Sequence, residues 1–148
     1  MRRRFAFMAI VFVFLIVLTS CSSKKKEDKD KIEIFDSNNV KIAEIEKQEE
    51  LDDFSNFIEK SVENVNDKKF ENYFKEIPDD AIKSYHLIFT SKDNETTKID
   101  FYIYENYPYI TMEGVPMITT PLTWELSKED LKEFNDKVQE LKDMDNKR

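Results

Sequence analysis

The chain of 148 residues contains one glycine, one cysteine and one histidine. Phosphate-binding loops need clustered glycines, and the nucleophile elbow of α/β-hydrolases needs a Gly-x-Ser-x-Gly stretch, so both are excluded. A hydrolytic zinc site takes three protein ligands from His, Cys or carboxylate, and one histidine disfavours it. The single cysteine has no partner for an intrachain disulfide. We therefore expect a fold held by its apolar core, without a cofactor or a metal.

Basic residues are outnumbered, since 23 Lys and Arg face 31 Asp and Glu and give a net charge of −8. Residues 1–20 contain three arginines and no acidic residue, so the chain from residue 21 onward carries −11. A binding partner made of nucleic acid is disfavoured, because its phosphates call for a basic surface. The acidity suits solubility or a cationic partner, and it does not decide between them.

Long apolar runs are also scarce, and the one that exists lies at the start of the chain. Three arginines, Arg2–Arg4, precede an uncharged run of 14 residues from Phe5 to Leu18. A membrane span needs about 20 apolar residues, so the run is short for a permanent anchor. A basic stretch followed by a short apolar run is the layout of a secretory signal.

The apolar run ends in Leu18-Thr19-Ser20-Cys21. This stretch resembles the lipobox of bacterial lipoproteins, which has an aliphatic residue, two small residues and then a cysteine. The resemblance implies cleavage before Cys21, a diacylglyceryl group on its sulfur, and palmitate-type acyl chains that hold the protein on the extracytoplasmic face of the cell membrane. An ordinary signal peptide and an uncleaved anchor with a coincidental cysteine are the alternatives. The many Lys, Asn and Ile residues indicate a Gram-positive source.

Three further segments follow the predicted signal peptide of residues 1–20. Residues 21–31 form the lipidated start and a charged spacer, because Ser22–Lys31 contains no apolar residue. Residues 32–144 are long enough for one domain. Residues 145–148 are expected to form a frayed tail.

The pattern of the domain predicts an α+β fold with the order ββ-α-(α)-ββββ-α. Alternation predicts a hairpin over 32–45, strands over 84–91, 97–105 and 109–112, and an extended stretch at 115–118 before a last strand at 122–126. Apolar spacing predicts a helix over 47–66, a short helix over 68–75 and a last helix that begins at residue 128. The last helix should start at the cap Ser127 and fray near Asp143. An antiparallel sheet with both main helices on one face would bury every apolar stripe. The layout resembles that of small lipoproteins of Gram-positive bacteria, and it transfers no functional residue except Cys21.

The candidate binding surface is the outward face of the predicted sheet. If Tyr85, Leu87 and Phe89 point inward, the face opposite carries a histidine and several tyrosines, which we take as the candidate site: His86, Tyr102, Tyr104, Tyr107 and Tyr109. Tyrosine is favoured at interfaces because it combines a large ring with a polar tip. Two alternatives stay open: tyrosines are common in strands, or the loop Pro116–Pro121 covers this face.

We expect a non-enzymatic domain that binds or modulates an envelope protein, a peptide or a wall component; its oligomeric state stays open. A carboxylate-dependent hydrolase is one alternative, based on four acidic pairs: Glu49-Glu50, Asp52-Asp53, Asp79-Asp80 and Glu129-Asp130. An immunity-type protein that neutralises a cationic toxin or peptide is the other. Asp143–Asn146 begins like a calcium loop but lacks its glycine and closing glutamate.

Overall fold

The structure is a computed structural model, and it describes residues 30–65, 69–92 and 97–145. The predicted signal peptide, Cys21, the spacer up to residue 29 and the last three residues lie outside this range. The elements are β1 (Lys31–Asp36), β2 (Lys41–Ile45), α1 (Gln48–Glu63), β3 (Lys83–Thr90), β4 (Lys98–Tyr104), β5 (Tyr109–Glu113), β6 (Leu122–Glu125) and α2 (Lys128–Asp145). Within the described ranges, no helix is long and apolar enough to span a bilayer.

The strands form one antiparallel sheet in the order β2-β1-β3-β4-β5-β6. The predicted α+β class and element order are thereby confirmed. The hairpin β1–β2 is joined to the meander β3–β6 through the pairing of β1 with β3. This pairing makes β1 an internal strand, although it is the first strand in the described part of the chain.

The hairpin turn is formed by its own sequence. The Asp36 side chain accepts hydrogen bonds from the backbone N–H groups of Asn38 and Val40, at 2.8 and 3.0 Å. Asn39 adopts a positive φ of 59°, which asparagine tolerates better than most residues. The turn signal in residues 36–39 therefore acts locally, and the predicted hairpin is confirmed.

Alternating residues of the strands point to one face, where both helices cover them. The inner face includes Ile34, Leu87, Phe101, Ile110 and Trp124, all buried. Helix α1 adds Leu51, Phe57, Ile58 and Val62, and α2 adds Phe134, Val138 and Leu141. Burying such side chains stabilises the fold by about 1.5–3 kcal/mol each, so the core carries the fold as expected from a chain with one cysteine.

Helix α2 begins at a side-chain cap. The Ser127 hydroxyl oxygen accepts the backbone N–H of Asp130 at 3.0 Å, and the same hydroxyl donates to the Asp130 carboxylate at 2.7 Å. The prediction of a capped start is confirmed. Helix α2 continues to Asp145, and the rest of the predicted frayed tail lies outside the described residues.

Two other segments differ from expectation. The short helix predicted over 68–75 is a single 3-10 turn, Phe70–Tyr73. Residues 115–118 contain a turn rather than an extended stretch. Gly114, before that turn, has a φ of +80°, and a Cβ there would lie 2.4 Å from the backbone oxygen of Lys98. The only glycine thus stands where the backbone requires one.

Candidate functional site

The outer face of the sheet, opposite the helices, is crossed by one row of paired residues. The strand register places Phe35, His86, Tyr102, Thr111 and Thr123 side by side, from β1 through β6. The first three residues are aromatic and the last two carry hydroxyl groups. The row therefore has an aromatic half and a hydroxyl half.

His86 and Tyr102 form the centre of the aromatic half. Their rings stack with centroids 4.6 Å apart and planes 15° apart, and Phe35 lies 5.9 Å from the imidazole. The ammonium of Lys83 lies 3.7 Å from the Tyr102 ring centroid, within the range of a cation–π contact. The structure thus brings together two of the five predicted site residues, on a partly exposed surface.

Asp100 contacts the histidine from the neighbouring strand. Its Oδ1 atom lies 2.6 Å from the His86 Nε2 atom, and both side chains are partly exposed. Partial burial, together with the charges of Asp100 and Glu113, raises the pKa of Tyr102. The tyrosine therefore keeps its proton, and its hydroxyl is available as a donor at neutral pH.

Tyr104 is only 5% exposed, so the expectation that it lies on an open surface is wrong. Its hydroxyl oxygen lies 3.1 Å from the Thr111 hydroxyl, which lies 3.0 Å from that of Thr123. These three hydroxyls form a buried chain of hydrogen bonds. Tyr104 belongs to the internal packing of the hydroxyl half.

The hydroxyl half is flanked by residues 74–82, which connect the 3-10 turn to β3 and which we call the crossover segment. Residues 74–79, 81 and 83 line a cleft of about 530 Å³ together with Tyr104, Thr111 and Thr123. The crossover segment is hydrogen-bonded to β6, because the Lys75 N–H donates to the Thr123 carbonyl. The loop 116–121 contributes Thr120 and Pro121 to this cleft.

Tyr107 and Tyr109 form a second, separate pair at the β4–β5 turn. Their rings stack with centroids 5.9 Å apart and planes 5° apart. The Tyr107 hydroxyl donates to the Asp80 carboxylate at 2.7 Å, and this hydrogen bond raises the pKa of Tyr107. Tyr107 thus fastens the crossover segment, with help from Asn106, whose amide donates to the Asp80 carbonyl at 2.8 Å.

Of the acidic pairs considered for hydrolysis, Glu49-Glu50 and Glu129-Asp130 lie in helical first turns. Asp52-Asp53 lies further along α1, and Asp79-Asp80 lies in a turn of the crossover segment. Asp130 is the one member of these pairs that is fully buried, and it accepts hydrogen bonds from Ser127 and Asn64. Across residues 30–65, 69–92 and 97–145, no group of three His, Cys, Asp or Glu side chains is arranged to hold a metal ion. The start of the calcium-like stretch, Asp143, lies in α2, and Asn146 lies outside the described residues.

Sequence reasoning missed Phe35 of the aromatic half and the two charged residues that contact this half, Lys83 and Asp100. They join His86 through pairing between β1, β3 and β4, which no local pattern specifies. It also missed a groove between the two helices, which is lined by apolar side chains and rimmed by charges. The sequence indicates this groove only in part, because α1 carries Phe54 beside its main apolar stripe.

Comparison of the chain with known protein families, with curated proteins and with solved structures gave no match. The functional argument therefore depends on the residues of this chain alone.

Proposed function

We propose that the protein is a lipoprotein, anchored through Cys21 on the extracytoplasmic face of the cell membrane, whose domain binds an envelope component without chemical turnover. The tether is inferred from the lipobox-like sequence. The binding role is inferred from the aromatic half of the outer sheet face. A carboxylate-dependent hydrolase stays the alternative from the sequence.

The stacked pair of His86 and Tyr102 is the observation that carries the binding role. Aromatic rings with polar tips that are partly exposed on a sheet are the kind of side chain that dominates binding energy at interfaces. Lys83 and Asp100 add one cation and one carboxylate beside the rings. A partner would therefore meet apolar area, a hydroxyl donor and both signs of charge within a small area.

The tether is tested by the substitution Cys21→Ser in the full chain. We expect the wild type to incorporate labelled palmitate and to fractionate with membranes. The variant should lose the label and keep the uncleaved signal, because lipidation precedes cleavage at a lipobox. Incorporation of palmitate into the variant would contradict the role of Cys21. The control is the full chain with the single substitution Ser20→Ala. It keeps Cys21 and a small residue at position 20.

The binding face is tested by photo-crosslinking in living cells. A photoreactive phenylalanine analogue replaces Tyr102 in one variant and Glu59, a partly exposed residue of α1, in the other. We expect a discrete cross-linked envelope component from position 102 and none of the same mass from position 59. Equal products from both positions, or none from position 102, would argue against this face.

A further inference from the structure

The two helices enclose a groove on the other side of the molecule from the aromatic half. They run antiparallel, because Asp53 of α1 lies opposite Lys137 of α2 while Lys60 lies opposite Glu133. The groove has a volume of about 640 Å³. This lies within the roughly 300–1,000 Å³ of typical ligand pockets. The space between the helices is therefore large enough to accept side chains of a partner.

The floor of the groove is apolar and rich in aromatic rings. Phe57 and Phe134 meet across the helices with ring centroids 5.6 Å apart, and Phe54 lies 6.4 Å from Phe57. Phe54 is only partly buried, although it packs against Phe101 of the sheet at 5.5 Å. The floor thus offers an apolar strip between α1 and α2 that the helices do not close over completely.

The rim of the groove is acidic. Its lining includes six acidic side chains and three lysines, which gives a local net charge of −3. The acidic residues are Glu50, Asp53, Glu129, Glu133, Asp136 and Glu140, and the lysines are Lys60, Lys132 and Lys137. Each of the lysines is engaged in an ion pair with one of these acids. These three lysines are therefore already used, and a further cation at the rim must come from another part of the protein or from a partner.

Two of the ion pairs span the groove. The Lys60 ammonium lies 2.8 Å from the Glu133 carboxylate, and the Lys137 ammonium lies 3.6 Å from the Asp53 carboxylate. Such exposed pairs contribute about 0–1 kcal/mol each. An incoming cation can therefore replace Lys137 on Asp53 at small cost, and the displaced lysine can turn to water. Displacing Lys60 costs more, because its ammonium also lies 3.6 Å from the buried Asp130 carboxylate.

We propose that this groove binds a cationic amphipathic peptide helix. The apolar floor would take the leucine-like side of the peptide, and the acidic rim would take its lysines or arginines. Helices α1 and α2 have 16 and 18 residues, so each is about 24–27 Å long and can flank roughly four turns of a third helix. The proposal is independent of the sheet-face site, because it uses the opposite side of the sheet.

Charge complementarity favours this occupant over an apolar or an acidic one. Helix α1 contains six acidic residues and one lysine, and the chain as a whole carries −8. The field of the whole molecule therefore attracts cations toward the rim and repels anionic partners. A purely apolar ligand would leave the excess of carboxylates over lysines at the rim unbalanced, although Lys47, outside the groove lining, already pairs with Glu50.

The test uses the full chain in nanodiscs of zwitterionic phosphatidylcholine, with empty nanodiscs as the blank. The probe is a fluorescent Leu–Lys peptide of about 14 residues with leucines at helical spacing, roughly four turns long. A Leu–Glu peptide of the same pattern and a scrambled Leu–Lys peptide are the comparison probes. We expect the patterned Leu–Lys peptide alone to bind in excess of the blank, and the binding to weaken as salt is raised.

Matched charge reversals locate the site. Glu133→Lys with Glu140→Lys alters the groove rim, whereas Glu113→Lys with Glu125→Lys makes the same change in net charge on the outer sheet face. We expect the groove variant to bind about tenfold more weakly and the sheet-face variant to change much less. Thermal unfolding of each variant confirms that it is folded before binding is measured.

Equal weakening by the two double variants would overturn the proposal, because bulk charge would then explain the binding. Equal binding of the Leu–Glu or scrambled peptide would overturn it as well, as would the absence of wild-type binding. None of these results bears on cross-linking from position 102. The proposal for the groove and the proposal for the sheet face are therefore tested separately.

Discussion

At the scale of single residues, Ser61 and Trp124 link the first helix to the last strand. The indole N–H of Trp124 donates to the Ser61 hydroxyl at 3.1 Å, and that hydroxyl donates to the Ile58 carbonyl at 2.8 Å. Both side chains are buried. The hydroxyl thus serves as donor and acceptor at once, in a place that water does not reach.

Ser61→Ala is expected to lower the free energy of unfolding by about 1–3 kcal/mol, because the buried indole N–H loses its acceptor. Urea denaturation measures the change. Ser55→Ala on the same helix is the control, since the Ser55 hydroxyl bonds only to the Leu51 carbonyl of its own helix. A loss for Ser61→Ala no larger than that of the control would contradict the role given to this hydroxyl.

Local residue patterns predicted the interior of the fold better than its surface. The turn at Asp36 and the cap at Ser127 could be predicted, because each is made by side chains within four residues of the backbone they bind. The burial of Tyr104 could not, because it depends on Thr111 of the next strand and on the crossover segment beside them. Alternation gives the face of a residue but not what later covers that face.

At the scale of elements, the start of α2 carries the only fully buried carboxylate among the described residues, Asp130. Burial by itself raises the pKa of Asp130, but hydrogen bonds from Ser127 and Asn64 and the charge of Lys60 outweigh it, so the pKa is lowered. The folded state therefore binds this proton less readily than the unfolded state. The ionised carboxylate holds the helix start, the C-terminal end of α1 and the rim lysine together.

A lowered pKa gives stability that is complete above the unfolded value of about 3.9 and is lost as the pH falls through the folded value. We expect the free energy of unfolding to fall in that acidic range, and to fall less in Asp130→Asn, which has no carboxylate to protonate. Urea denaturation between neutral and acidic pH measures both slopes. Asp136→Asn, an exposed residue of the same helix, should leave the slope of the wild type almost unchanged; equal flattening by both would refute the assignment.

The distance between the two helices, and the groove that results from it, could not be predicted from the sequence for a geometric reason. Apolar spacing predicted α1 and α2 and the faces they bury. It does not give the distance between two helices, which is set by how Phe57 and Phe134 meet over the sheet. A groove is a property of that distance, so neither helix alone indicates it.

At the scale of the whole molecule, like charges oppose the compact state. The chain carries −8, and α1 alone has six acidic residues against one lysine. Compact folding brings these carboxylates closer together than in the unfolded chain, which costs free energy that salt reduces. The surface ion pairs that salt also weakens contribute little.

Raising the salt concentration from about 0.01 M to about 0.15 M shortens the Debye length from roughly 30 to 8 Å, so we expect the free energy of unfolding to increase. Urea denaturation at the two concentrations of sodium chloride measures the increment. The increment should be smaller in Glu113→Lys with Glu125→Lys, which lowers the net negative charge at two exposed positions of the sheet. A decrease with salt in the wild type would mean that its ion pairs outweigh the repulsion.

The internal position of β1 has a mechanical consequence. A lipid anchor at Cys21 would pass any pulling force into the sheet at the start of β1, which is held by β2 on one side and by β3 on the other. Strands loaded along their length must break many ladder hydrogen bonds at once, whereas an edge strand can be peeled off one bond at a time. A domain that enters its sheet through an internal strand is therefore suited to stay folded while a bound partner pulls against the membrane.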